Sequence, residues 1–459
     1  MKILLSKNSF AGPISGADEI AVNYAAELKA AGHEAAVLLV QPPAAGDPLA
    51  ARLLGAGVEL TSLASPRFTA SLAAGRKLAL AAMRAFSPAR KVLRSNSRRI
   101  VHDLLQRYHD AFREHLARRR PDVVHVITPD PGAVMLIRAA HAAGVPVVYQ
   151  EVGTPFHPPG FEEVYERFVK VLPLCSEVAT LSPQLARELQ RAVPSLAREP
   201  RVIPLIAPDA ADSSDSSDEV PRGARRADSP VRFGFASRLE HLKGPLQFVE
   251  GAAAAHRAHP NMELKVAGEG SQRQQVVAAL RRHGLAGKCR MVGTYTTLGA
   301  RSRFMRDVDV FVHPSYTEGT PNAVIEAMAH GLPVVATAVG GLPDFVTEDC
   351  GILVPAGDAE ALGEAMKTVA GDAALRRSMG IAAREQYRRL FTSEAVMPLL
   401  TDFYGRVIAA HGAQKNGRAA ALASKASKEI RHPWAAGAGA AEAARATHRD
   451  DLAAVLGGG

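Results

Sequence analysis

Twice along this chain short apolar runs alternate with amphipathic stretches, a rhythm that limits it to parallel sheets wound with helices. In the first half, apolar runs at 2–5, 35–40, 123–127 and 145–149 are interleaved with helix-like spacings over 18–31 and 133–143. Runs of this length suit strands buried on both faces, and their alternation with helices is the β-α-β pattern of a doubly wound sheet. The pattern restarts beyond residue 230. Strands are predicted at 231–236, 263–267, 289–292, 308–313, 333–337 and 351–354, and helices at 245–256, 272–282 and 321–330.

Between the halves the composition changes to a Ser/Asp/Pro-rich run over 207–230, which reads as a linker or mobile loop. A length of 459 residues fits two or three domains, and the repeated rhythm selects two. The expected α/β organisation is a first domain at 1–206 and a second at 231–390. A helix at 391–412 is expected to return to the first domain, followed by a flexible Ala/Gly-rich tail at 413–459. Ligands of doubly wound sheets bind beyond the carboxyl ends of the strands, so the cleft that two such sheets would face is the expected site.

Composition narrows the function. Hydrophobic residues at 47% and charged residues at 22% fit a soluble globular protein. The first apolar stretch, Ile3-Leu4-Leu5, is too short for a signal peptide, and no apolar run approaches the ~20 residues of a membrane-spanning helix. Cys175, Cys289 and Cys350 are odd in number and far apart, which suits neither a disulfide framework nor a zinc site. A cytoplasmic location is the resulting expectation.

The net charge of +9 is concentrated: residues 66–120 hold fourteen Lys or Arg against three Asp or Glu, a local excess of +11. Leu72, Leu78, Leu80, Met83 and Phe86, then Val101, Leu104, Leu105, Tyr108 and Phe112, recur there at helical spacings. Two readings stay open. The segment is a peripheral contact with the anionic inner face of a membrane, where each cation adds ~1 kcal/mol, or a solvated helical hairpin beside the acceptor. One Trp, 5% aromatic residues and the lack of a recognisable motif speak against nucleic acid as partner.

The strongest chemical signal runs from His313 to Gly341, through Glu318-Gly319-Thr320-Pro321-Asn322-Ala323 to Glu326 and on to Gly340-Gly341. Thr320 is the expected N-cap and Pro321 the first helical position, so free backbone N–H groups would point into the preceding loop, where a phosphate fits. Val324, Ile325 and Met328 share one helical face and Glu326 lies off it, so Glu326 is read as a functional group rather than a core residue. A second cluster, Arg238-Leu-Glu-His-Leu-Lys243-Gly-Pro, puts two cations between a buried strand and a helix start, again a phosphate-binding arrangement.

These segments resemble retaining glycosyltransferases of the GT-B fold, family 4 in particular. The likeness rests on the Glu-x7-Glu spacing of Glu318 and Glu326, on Arg238-x4-Lys243, and on Gly331-Leu-Pro-Val-Val-Ala with Gly340-Gly341. It implies two Rossmann-like domains facing a central cleft and transfer of a sugar from a UDP- or GDP-type donor to a sugar, lipid-linked or small-molecule acceptor. It implies that Arg238 and Lys243 grip the diphosphate, that Glu318 contacts the donor sugar and that Glu326 holds the ribose hydroxyls. A carboxylate can accept two hydroxyl hydrogen bonds at once, which suits the last two roles. Gly268-Glu269-Gly270 and Gly293-Thr294-Tyr295 would lie near the base. The loop Gly12-Pro-Ile-Ser15-Gly16 would face the phosphates, with Gly16 the member of the usual glycine pair kept here.

No metal is expected, because the two cations would meet the charge of the leaving diphosphate. Asp307-Val-Asp309 spells a metal-binding pattern of another glycosyltransferase fold, but it sits where a helix ends and a strand begins and is read as a turn. Where the family often has a histidine aimed at the reacting sugar, this chain reads Tyr149-Gln150-Glu151-Val-Gly153-Thr154, so Glu151 takes the acceptor-side place. His125, alone on a buried strand, is read as structural. Two rivals remain: an epimerase or hydrolase of sugar nucleotides on the same fold, and a non-catalytic nucleotide-sugar-binding protein. The oligomeric state is left open.

Overall fold

The computed structural model describes residues 1–10, 16–63, 106–127, 131–153, 166, 168–208, 229–295 and 297–415. They form two compact units. Of the described residues, the first comprises those within Met1–Leu181 and Ala186–Ile203 together with 397–415; the second comprises Ser182–Leu185 and those within Pro204–Val396. The sheets of both units are parallel throughout, as a doubly wound fold requires.

The first unit is built on β1 (Lys2–Lys7), β2 (Glu34–Leu39), β3 (Glu59–Ser62), β4 (Val123–Ile127), β5 (Val147–Glu151), β6 (Glu177–Thr180) and β7 (Arg201–Val202). They pair in the order β3-β2-β1-β4-β5-β6-β7. The core combines sheet residues Val124, Val126 and Tyr149 with Leu136 and Ile137 from the helix Pro131–Ala142. Residues 106–119 are helical. They bury Tyr108, Phe112 and Leu116 and leave Arg107, Arg113, Arg118 and Arg119 exposed, an i, i+4, i+8 stripe facing inward. The remainder of the basic segment, the loop 11–15, most of the linker and the tail beyond 415 lie outside the described residues.

The second unit contains β8 (Val231–Ala236), β9 (Met262–Ala267), β10 (Cys289–Gly293), β11 (Val310–His313), β12 (Val334–Thr337) and β13 (Gly351–Val354), in the order β10-β9-β8-β11-β12-β13. Phe233, Phe235, Phe248, Leu264 and Val312 centre its core. Each sheet reverses direction of growth once, between β1 and β4 and between β8 and β11. Those are the switch points beside which doubly wound sheets bind their ligands.

Some boundaries differ from the sequence expectation. The strand expected at 145–149 begins at Val147 and runs to Glu151, because Val145 N still closes the preceding helix onto Ala140 O and Pro146 has no N–H to give the ladder. The strand expected from 308 begins at Val310, because Asp309 exchanges bonds with Arg232 through both its backbone and its side chain. Strands β3, β6 and β7 were not anticipated. β3 and β7 are edge strands with exposed or half-buried positions, so they lack the continuous apolar run that marks a central strand.

Candidate functional site

In the second unit the loops leaving β8 and β11 meet at the switch point. Tyr316 N donates to Leu242 O at 2.9 Å. Gly244 has φ 66°, and a Cβ there would sit 1.9 Å from Pro314 O, so only glycine permits the approach. The helix Pro245–Ala258 starts immediately afterwards, with proline in its first turn.

This contact brings two of the candidate residues together. Lys243 Nζ lies 2.6 Å from Glu318 Oε1, with the two side chains 19% and 8% exposed. The same carboxylate oxygen lies 2.9 Å from His313 Nε2, which is in turn 3.1 Å from Ser315 Oγ. Burial by itself would raise the Glu318 carboxyl, but the Lys243 ammonium and the bonds with His313 outweigh it and hold the group well below the usual carboxylate range. Arg238, on the same loop as Lys243, is exposed.

Glu326 is buried, at 7% exposure, in the helix Asn322–Ala329. It lies off the apolar face as expected, yet it faces protein rather than solvent, because Arg301 Nη1 approaches its Oε1 at 2.6 Å. Sequence reasoning missed Arg301, which lies on the helix Leu298–Arg306. Next to it, Ser302 Oγ is 2.8 Å from His330 Nε2, and His330 Nδ1 is 2.8 Å from Glu326 O.

The N-cap expectation is corrected. Pro321 rather than Thr320 caps the helix, with φ −74° and ψ 114° and no side-chain bond, because the chain turns helical one residue later than expected. Thr320 is buried and its Oγ1 has no hydrogen-bond partner among the described residues. Pro321 is buried, and Gly319, Asn322 and Ala323 are half-buried. Gly341 N donates to Gly319 O at 2.8 Å, and a Cβ on Gly340, at φ 55°, would lie 2.0 Å from Glu318 O. The Gly340-Gly341 turn therefore supports the Glu318 loop from below.

Gly268 and Gly270 let neighbouring backbone approach closely. Their missing side chains admit the chain's own backbone: a Cβ on Gly268 would meet Ser237 O at 1.9 Å and one on Gly270 would meet Leu239 O at 2.5 Å. Gly268 N donates to Gly293 O and Leu239 N to Glu269 O, at 2.8 and 2.9 Å, which ties the ends of β8, β9 and β10 together. Glu269 and Thr294 are exposed beside this junction.

In the first unit Glu151 is the last residue of β5 and 3% exposed. Tyr149 Oη donates to its Oε2 at 2.5 Å, and the backbone N–H groups of Val152 and Gly153 donate to Oε1 at 3.1 and 3.0 Å. Burial pushes this carboxyl up to about 7, with those three bonds acting in the opposite direction. Gly16, exposed, opens the helix Gly16–Ala30; Gly12, Ser15 and Thr154 lie outside the described residues. His125 is fully buried, 2.7 Å from Tyr404 Oη and stacked on Tyr24, and burial pushes its ring down to about 3. These contacts are those of a structural histidine.

Asp307 pairs with Arg232 and Lys265, and Asp309 Oδ2 accepts from Arg232 N at 2.9 Å, so both carboxylates fasten strands. Among the described residues no group of three or more His, Cys, Asp or Glu is placed to hold a metal ion.

Comparison with known proteins agrees with this architecture. Residues 230–372 match the family described as Glycosyl transferases group 1, and residues 15–206 match the Glycosyl transferase 4-like domain. Glycogen synthase of Mycobacterium tuberculosis is 29% identical over 188 residues, 40% of this chain and 45% of that protein. The 2-deoxystreptamine N-acetyl-D-glucosaminyltransferase of Streptomyces fradiae is 34% identical over 182 residues, 39% of this chain and 40% of its own length. The chain thus spans under half the length of these curated relatives. The crystal structure of HepE from Anabaena in complex with UDP superposes with a TM-score of 0.63 at 17% identity, covering 88% of this chain and all of that one. The chain therefore has the GT-B type of fold and resembles glycosyltransferases in both halves.

Proposed function

We propose that the chain moves a sugar from a nucleoside diphosphate to an acceptor hydroxyl, with retention at the anomeric carbon. The observation that carries this reading is the Lys243–Glu318–His313 cluster across the β8/β11 switch point, in which Glu318 and His313 are buried and Lys243 half-buried, next to the start of the helix Asn322–Ala329. An ammonium has three donors, so the bond to Glu318 leaves Lys243 able to serve a phosphate as well. Arg238 and the helix start add to the same anion site. Breaking the anomeric bond leaves new negative charge on the diphosphate, and a charge pair at ~4 Å is worth ~4 kcal/mol at an effective dielectric of ~20. Cations placed there favour the transition state over the ground state, the role a metal would otherwise fill.

In this scheme Glu318 positions the donor sugar and Glu326 receives the ribose hydroxyls. Gly268, Glu269, Gly270 and Thr294 border the base. The acceptor oxygen bonds to the anomeric carbon on the face that the diphosphate leaves, and its proton passes to the departing phosphate. Glu151 orients the acceptor hydroxyl, its carboxyl held near 7 by burial and so able to donate as well as accept. Likeness to a UDP-bound neighbour supports a UDP-type donor, with a GDP-type donor as the alternative. The acceptor is a sugar, a lipid-linked group or a small molecule. The setting we propose is cytoplasmic, with 66–120 either touching anionic membrane or solvated beside the acceptor.

A second reading, a nucleotide-sugar-binding protein without transfer, draws on Glu151 standing where a histidine is expected. A thermal-shift panel of UDP, GDP, ADP and their sugars on the wild type, Lys243→Ala and Glu326→Ala tests the donor site. Absence of stabilisation by every nucleotide, or an identical response of the variants, removes it. Release of nucleotide diphosphate only when an acceptor panel is added separates transfer from binding alone.

A further inference from the structure

Glu326 is buried, and Arg301 Nη1 lies 2.6 Å from its carboxylate, on a helix that precedes β11 while Glu326 follows it. The two helices are joined a second time by Ser302 and His330, whose other ring nitrogen bonds the backbone of Glu326 itself. Arg303, two residues along the same helix, is exposed, whereas Arg301 is only 9% exposed. A buried arginine is costly unless it meets a charge, so its burial here is tied to the Glu326 carboxylate.

A glutamate side chain has three rotatable bonds, and one left free would have to be ordered each time a ligand arrived. Fixing it beforehand removes that entropic cost from binding. The Arg301 guanidinium, through Nη1 at 2.6 Å, fixes where the Glu326 carboxylate oxygen sits. A carboxylate offers about four lone-pair directions, so a bond to arginine does not exhaust its capacity for hydroxyl donors.

We propose that Arg301 is a positioning residue of the donor site, holding the Glu326 carboxylate in the orientation that receives the ribose hydroxyls of a nucleoside diphosphate. This rests on the donor-site reading above and assigns the ribose preference to a pair of residues rather than to one.

The test is calorimetric titration of UDP and GDP, each against its 2′-deoxy counterpart, into the wild type, Arg301→Gln and Arg301→Lys. The wild type is expected to favour the ribonucleotide by about tenfold, the size of one hydrogen bond to a charged group. In Arg301→Gln the preference falls to about twofold or less, because an unanchored carboxylate serves either sugar poorly. Arg301→Lys keeps the charge without the fork and falls between, which keeps the test alive should the Gln variant fold poorly. A merely structural pair would lower the unfolding temperature and leave the ribose-to-deoxyribose ratio unchanged; that result, in either variant, overturns the role of Arg301 alone. If neither UDP nor GDP binds the wild type, or neither is preferred over its deoxy form, the reading of Glu326 falls and Arg301 with it.

Discussion

Lys243 Nζ and Glu318 Oε1 lie 2.6 Å apart although the residues are 75 positions apart in sequence. The contact exists because β8 and β11 are neighbours in the sheet, so loops that are distant along the chain leave adjacent strand ends. It ties a proposed phosphate-binding cation to a proposed sugar-binding carboxylate, and each holds the other in place.

Lys243→Met leaves Glu318 buried beside His313 without its principal cation. Losing one partner of a buried pair costs about 3–5 kcal/mol, with the lower end expected here because Lys243 is 19% exposed. Urea unfolding should show most of this loss returning in Lys243→Met/Glu318→Gln, while donor binding stays impaired in both.

The depressed Glu318 carboxyl also sets a pH dependence. A carboxylate held below its ordinary value of 4.5 adds stability that is fully present above 4.5 and is lost as pH falls toward the folded-state value. Denaturant melts between pH 6 and 3 should therefore show a steeper acid loss in the wild type than in Glu318→Gln.

Glu151 has the opposite sign. Its carboxyl is raised from 4.5 to about 7, so the unfolded chain releases this proton earlier than the folded one, and stability falls as pH rises between those values. At ~1.4 kcal/mol per unit the effect is about 3 kcal/mol across the window. Glu151→Gln should flatten stability between pH 5 and 7, and equal slopes in the two proteins would contradict the burial argument.

Gly340→Ala places a methyl 2.0 Å from Glu318 O at a φ of 55°, where backbone on both sides must move. A loss of about 1–3 kcal/mol is expected, together with weaker donor binding. Gly55→Ala, with open space around its Cβ, serves as the control that folds normally.

Much of the fold was legible because central parallel strands are largely apolar runs: β4 and β8 coincide with the expected spans. Edge strands such as β3 lack that signature. Glu318 and Glu326 could be singled out by spacing and by their place around a helix start. Their partners could not, because Lys243–Glu318 and Arg301–Glu326 depend on strand order and helix packing. Nothing local separates buried Arg301 from exposed Arg303. The close packing of Gly268 and Gly270 against the backbone of Ser237 and Leu239 depends on how the ends of β8 and β9 meet, which no local pattern shows.

The central claim, that the β8/β11 switch point grips the diphosphate of a nucleotide donor, is tested most directly on Arg238, whose exposed side chain can be removed with little effect on folding. Titration of the nucleoside diphosphate that stabilises the wild type, and of its parent nucleoside, into the wild type and Arg238→Ala compares phosphate and base contacts in one experiment. The account predicts a loss of about tenfold or more for the diphosphate and a change of about twofold or less for the nucleoside. Equal affinities of the two proteins for the diphosphate would contradict it.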